Sequence, residues 1–162
     1  MNIVVTMLSD FPESSCIFQP LTPAALHRNV RLMGDASSPA SLYGAQVMVS
    51  TPARRPRAIL RFTHVEVQWA GQAFRLGRYP IHFHMHGDAG MQSWVKGCSI
   101  HHSFQRAVTI HGTHRVLLEN NVAYDIMGHT YFFEDALEWG ESLAGLCHIS
   151  ITSFTTASCC RC

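Results

Sequence analysis

The chain has 162 residues, 47% of them hydrophobic and 14% charged, with a formal net charge of +1 at pH 7. That is the length and composition of one globular domain, and the charge balance gives no electrostatic case for nucleic acid or an anionic membrane as the main partner. The compositional excess is in histidine, with eleven residues, and no run of about eighteen apolar residues exists to form a transmembrane segment.

Residues 1–28 carry Pro12, Pro20 and Pro23 without a sustained period and read as irregular. The opening Met1 to Leu8 is apolar but short, lacks a basic start and meets Asp10 at once, which makes a poor signal peptide. The first strand-like unit is Val30-Arg31-Leu32-Met33, followed by a loop over Ala36 to Ser41. A second apolar run, Ala45 to Val49, ends at Ser50-Thr51-Pro52, and Pro52 to Arg57 reads as a turn with a solvated basic cluster. Beyond it Ile59 to Phe62 and His64 to Trp69 alternate, and short β-rich runs separated by Gly, Asn or Asp continue to Asp135 without a helical pattern. The six cysteines, at 16, 98, 147, 159, 160 and 162, have the spacing of neither a disulfide framework nor a structural zinc site. Cys98 reads as a small buried residue.

Internal repetition organises these runs. Trp94 to Ile100 aligns with Val116 to Val122, Thr109-Ile110-His111 with Tyr131-Phe132-Phe133, and His86-Gly87 with His111-Gly112, at steps of about 22 to 25 residues. Two or three short strands per step, with tight turns, is what one coil of a parallel β-helix needs. Leucine-rich repeats share the period, but their LxxLxLxxN units do not occur. The predicted fold is all-β, a parallel β-helix of about three to five coils over residues 29–135. The alignment predicts inward ladders of Ile81, Phe83 and Met85 above Val108, Ile110 and Phe132, and of Val95, Cys98 and Ile100 above Leu117, Asn120 and Val122. Asn120 is expected at a corner, where an amide can satisfy turn backbone groups.

The blocks Gly77-Arg78-Tyr79-Pro80-Ile81-His82-Phe83-His84, Gly87-Asp88, Gly97-Cys98-Ser99-Ile100-His101, Arg106 to Gly112, Asp125 to His129 and Phe132-Phe133-Glu134-Asp135 occur in an order and spacing that resembles a known family. It is the right-handed parallel β-helix region of the G8-domain family, which includes fibrocystin, fibrocystin-L, the cell-migration-inducing hyaluronan-binding protein and transmembrane protein 2. The resemblance is strong over residues 59–135 and loose over 29–50. It implies an extracellular or cell-surface parent protein, which can be membrane-anchored, and a partner that is a glycan or an extracellular protein. Two family members act in hyaluronan depolymerisation, whereas the fibrocystin branch is known for surface-coat and ciliary roles. Family members continue Glu-Asp-Gly where this chain has Glu134-Asp135-Ala136. Residues 136–162 therefore read as an atypical tail from a truncated or mis-spliced gene model, and the chain as a fragment.

The chemistry centres on Ile81 to Asp88. In an extended strand, His82, His84 and His86 share one face. Three neutral imidazoles on one ridge suit a divalent metal, and a histidine near a carboxylate can act as acid or base near neutral pH. The candidates for metal binding are His82, His84 and His86. His84, Asp88 and His111 are the candidates for catalysis, which in this family setting is glycan cleavage by a hydrolase. Among the substrate-binding candidates, Arg78 and Arg106 would hold an anionic sugar and Tyr79 would stack on a sugar ring. Each has a structural alternative: the imidazoles as hydrogen-bonding ladders, Asp88 as a turn former, the arginines as ion-pair partners and the aromatic rings as packing. No phosphate loop, GxSxG elbow or HExxH occurs, which disfavours nucleotide chemistry and serine hydrolysis.

Overall fold

A computed structural model of the chain describes residues 27–51, 57–144, 146–150 and 156–160. The irregular segment expected before Arg28 falls, but for its last two residues, outside the described residues, as does the proline-rich turn at 52–56. Strands β1 (Val30–Met33), β2 (Val47–Val49) and β3 (Arg61–Thr63) make a first coil. Then β4 (Val65–Gln68), β5 (Ile81–Asp88) and β6 (Trp94–Lys96) make a second. A third holds β7 (Ser99–Ser103), β8 (Val108–His114) and β9 (Leu117–Glu119). Strands β10 (Val122–Ile126), β11 (Tyr131–Phe133) and β12 (Ser142–Ala144) form a fourth, and β13 (Leu146–Ser150) starts the next. Every third strand pairs in parallel, so three sheets run along the molecule: β1-β4-β7-β10-β13, β2-β5-β8-β11 and β3-β6-β9-β12. This is a right-handed parallel β-helix.

Past Asp135, where the repeats were expected to end, β12 pairs in parallel with β9 and β13 with β10, and β14 (Thr156–Cys160) lies antiparallel on β13. The loop expected at 36–41 contains one helical turn, α1 (Ser38–Ser41), with Pro39 in its first positions, where a missing N–H costs nothing.

Apolar residues of all three sheets meet inside the coil. Val67 faces Ile100 across one rung, Ile81 and Phe83 face Val108 and Ile110, and Val95 faces Leu118; all are buried. Of the first predicted ladder, Ile81 and Phe83 above Val108 and Ile110 hold, whereas Met85 is exposed; the second ladder is displaced. Trp94 stands opposite Leu117, not Val116, so Leu118 and Ala123 point inward where Leu117 and Val122 were expected. Side chains alternate with period two, so a slip of one residue exchanges the two faces. The same slip puts Phe133, not Phe132, opposite Ile110 and against the core.

The corner asparagine shifts with it. Asn121 is fully buried; its Oδ1 accepts from the Cys98 amide at 2.9 Å and its Nδ2 donates to the Val95 carbonyl at 2.7 Å. Asn120 occupies instead a left-handed backbone position, φ 52°, that also holds His64 and Gly97 in the coils below. A second column of left-handed corners holds Trp69, His102 and Asp125. Asn, Asp and His tolerate this conformation better than most residues, whereas at Gly97 a Cβ would collide with the His64 ring.

Candidate functional site

The site lies on the outer face of the sheet that contains β5, β8 and β11. Ile81 and Phe83 point inward, so His82 and His84 point outward, and the parallel partner places His111 beside His84. The expected neighbour of His111 was His86. The register that pairs Ile81 with Val108 runs unbroken to His84 and His111, and only past them does a bulge shift the pairing, with Met85 at φ 47°. A bulge inserts an unpaired residue and re-aims the side chains that follow. Met85, expected inside, is 57% exposed, and His86, expected on the outer ridge, turns away and is buried against Thr51, with Nδ1 and Thr51 Oγ1 2.6 Å apart. The three-histidine ridge is thus a pair, His82 and His84, completed by His111 from the next coil.

The segment before β5 covers His82. Gly77 accepts a hydrogen bond at 3.1 Å from His82 Nδ1, and the Tyr79 ring packs edge-on against the His82 ring at 4.8 Å. His82 is left 1% exposed, and burial pushes its pKa down to about 4, so the ring is neutral near neutral pH. With Nδ1 carrying the proton toward Gly77, Nε2 presents a lone pair; that buried atom has no hydrogen-bond partner among the described residues. The His84 ring stands 5.0 Å from both His82 and His111, and the His82 and His111 planes lie 9° from parallel, 6.3 Å apart.

The fourth coil supplies the carboxylates. Glu134 follows β11 at the end of the rung above His111, and its Oε2 lies 3.6 Å from His111 Nδ1. Asp135 Oδ2 is 3.1 Å from His111 Nε2. Glu134 is held from below: Tyr79 Oη donates to its Oε1 at 3.1 Å, and Arg106 donates to the same hydroxyl at 3.0 Å while standing 3.7 Å from the carboxylate. The Arg106 guanidinium also lies 3.8 Å above the Phe132 ring. Burial, with Glu134 alongside, raises the Tyr79 pKa, which keeps the phenol protonated as a donor. An open pocket of about 350 Å³ lies over these groups, lined by His82, His84, His111, Glu134, Gly77 and Arg78, with Met48 and Leu76 as its apolar part.

Of the residues singled out in the sequence, His82, His84, His111 and Arg78 meet at this pocket, with Arg78 exposed at its rim. Tyr79 and Arg106 are beneath it as supports: Tyr79 is 1% exposed and has no free ring face. Asp88 lies elsewhere. Its two carboxylate oxygens take a two-pronged contact from Arg115, and Oδ1 also accepts from the Gly90 amide at 2.9 Å. The Arg115 contact holds its pKa down to about 2. The candidate sets read from the sequence contained neither Glu134 nor Asp135 nor the Gly77 carbonyl. The two acids close the last block of the family resemblance, but Gly77 acts through its backbone, which no side-chain pattern reveals.

The family model of the CEMIP beta-helix matches residues 42–160. Human fibrocystin-L is 50% identical over 102 residues, which cover 62% of this chain and 2% of that protein. A G8 domain-containing protein of Dictyostelium discoideum is 36% identical over 121 residues, covering 75% of the chain and 10% of the relative. Human cell surface hyaluronidase CEMIP2 is 39% identical over 90 residues, covering 52% and 6%. The chain thus spans a small part of the length of each. The family match covers most of the chain, including β2, β5, β8 and β11 with the turns between them, and on that ground the chain belongs to the CEMIP β-helix family of the G8-domain proteins.

Proposed function

We propose that this chain is the rigid β-helix segment of a cell-surface protein and that it binds a glycan in the pocket over β5, β8 and β11. The observation that carries this reading is the make-up of the pocket: imidazoles of His84 and His111 and the exposed Arg78 guanidinium beside the apolar Met48 and Leu76. Sugars present hydroxyls and, in uronic acids, carboxylates on one edge and C–H surfaces on the other, and this lining offers donors and apolar contact together. The name of one relative, a cell surface hyaluronidase, supports the cell-surface setting. The test is calorimetric titration of the full chain with oligosaccharides of hyaluronan, chondroitin and a neutral glucan. Binding of an anionic oligosaccharide, weakened about tenfold or more in Arg78→Ala, is expected. No heat with any of the three sinks the reading.

A second reading, glycan cleavage, is favoured by one arrangement: His111 stands between two carboxylates, Glu134 and Asp135, beside the partly exposed His84. In a hydrolase, His84 or His111 would move the proton at the glycosidic oxygen and Glu134 would act as the paired carboxylate. Unchanged polymer length after prolonged incubation with each glycan, judged by size-exclusion chromatography, removes this reading and leaves the binding one intact.

A further inference from the structure

We propose that His82, His111 and Glu134 form a binding site for a divalent first-row transition metal, with zinc as the best match. One donor atom from each lies within 4.8 Å of the other two. Proximity alone is a weak argument, because acidic and histidine clusters are common. The case rests on how each side chain is prepared.

A histidine ligand offers one ring nitrogen and gives the proton on the other to a carboxylate or a backbone carbonyl, which fixes the tautomer and raises the basicity of the bare nitrogen. Both histidines have that second partner. His82 Nδ1 faces the Gly77 carbonyl at 3.1 Å, and His111 Nε2 faces Asp135 Oδ2 at 3.1 Å. The atoms left over are His82 Nε2 and His111 Nδ1, the latter 3.6 Å from Glu134 Oε2. Among the described residues no donor reaches His82 Nε2, a buried acceptor on a ring that is 1% exposed and lines the pocket. A buried polar atom without a partner is costly, and a bound cation removes that cost. Glu134 is prepared in the same way: Tyr79 and Arg106 engage it through Oε1, which leaves Oε2 toward the histidines.

Two imidazoles and one carboxylate suit zinc, and three protein ligands beside an open pocket leave a coordination position for water or a sugar oxygen. Bonds of about 2.0–2.2 Å to a single ion bring donors to within about 3–3.5 Å of each other, so the three close by about an ångström on binding. Calcium and magnesium prefer all-oxygen ligand sets and fit poorly here. The ligands come from three successive coils, so the ion would also act as a clasp along the solenoid.

Equilibrium dialysis of the purified full chain against Zn²⁺, Mn²⁺ and Ca²⁺ separately, with bound metal counted by mass spectrometry, tests the site, and Co²⁺ absorption reports its ligands. Expected are one high-affinity Zn²⁺ per chain, a cobalt spectrum without thiolate charge transfer, and affinity lower by at least 100-fold in His111→Ala and Glu134→Gln. Asp135→Asn, which alters only the partner of His111, should weaken binding about 10- to 100-fold. His86→Ala should leave it unchanged. His111 and Glu134 are partly exposed, so these variants should fold where the buried His82→Ala fails, and circular dichroism checks this. Zinc bound equally well by folded His111→Ala and Glu134→Gln, or bound through thiolates, overturns the assignment, as does no binding by the unaltered chain. Because the readout is metal content, a failure here is separable from a failure to bind glycan.

Discussion

At the scale of single residues, two adjacent asparagines do different work. Asn121 closes a buried corner with two hydrogen bonds to backbone groups, whereas Asn120 is exposed and contributes by tolerating a left-handed backbone. Asn121→Ala leaves a buried N–H and a buried carbonyl unpaired and should cost about 2–4 kcal/mol in urea unfolding. Asn120→Gly should cost less than about 0.5 kcal/mol, because glycine adopts positive φ freely. The reverse ranking would mean that the ladder is misaligned by one. Asp88 makes a different prediction, in pH. Its pKa is held near 2 against an ordinary 3.8, so its contribution to stability is present above about pH 4 and is lost as pH falls through 2. Asp88→Asn should therefore flatten the fall in stability between pH 4 and 2, measured by unfolding at fixed temperature.

At the scale of the strand, the bulge in β5 decides that His86 leaves the outer face. Without it, period-two alternation would keep His86 on the outer face with His84; with it, His86 goes to Thr51, while His111 stays opposite His84 on the rung before the bulge. The bulge depends on Met85 adopting φ 47° with its side chain in solvent, packed near Gly112. Met85→Gly should then be neutral or slightly stabilising. Met85→Ile places a β-branched residue in the left-handed region and should cost about 1–2 kcal/mol. Equal thermal midpoints for both variants would show that the bulge does not hold in solution. This element also marks where sequence reading stopped: a repeat step of 25 was inferred from matching His86-Gly87 to His111-Gly112, but a bulge changes the count without altering composition. The two-strand match that lacked a bulge, Trp94 against Val116, erred by a single residue, and that was enough to exchange inner and outer faces.

At the scale of the whole molecule, a solenoid is stabilised by contacts between neighbouring coils, so stability should be graded along its axis. β1, β2 and β3 each pair on one side only among the described strands, while β7 and β8 are paired on both. Hydrogen exchange should be fastest at β1–β3 and slowest at β7 and β8; uniform protection from β1 to β11 would contradict a stack of separable coils. The coil itself was legible in the sequence, because short alternating runs at a near-constant step leave few other folds, and Ile81, Phe83, Val95 and Ile100 were readable as core from alternation alone. His82, His84 and His111 were readable as site candidates from residue type, and the structure brings them to one pocket. What only the tertiary structure decided is which of them face each other and what supports them. A rung of the β-helix joins residues about two dozen positions apart, so a bulge or a one-residue slip in register moves a side chain to another face. The Gly77 carbonyl that orients His82, the Asp135 carboxylate on His111 and the turn of His86 toward Thr51 all follow from that register, which no local pattern encodes.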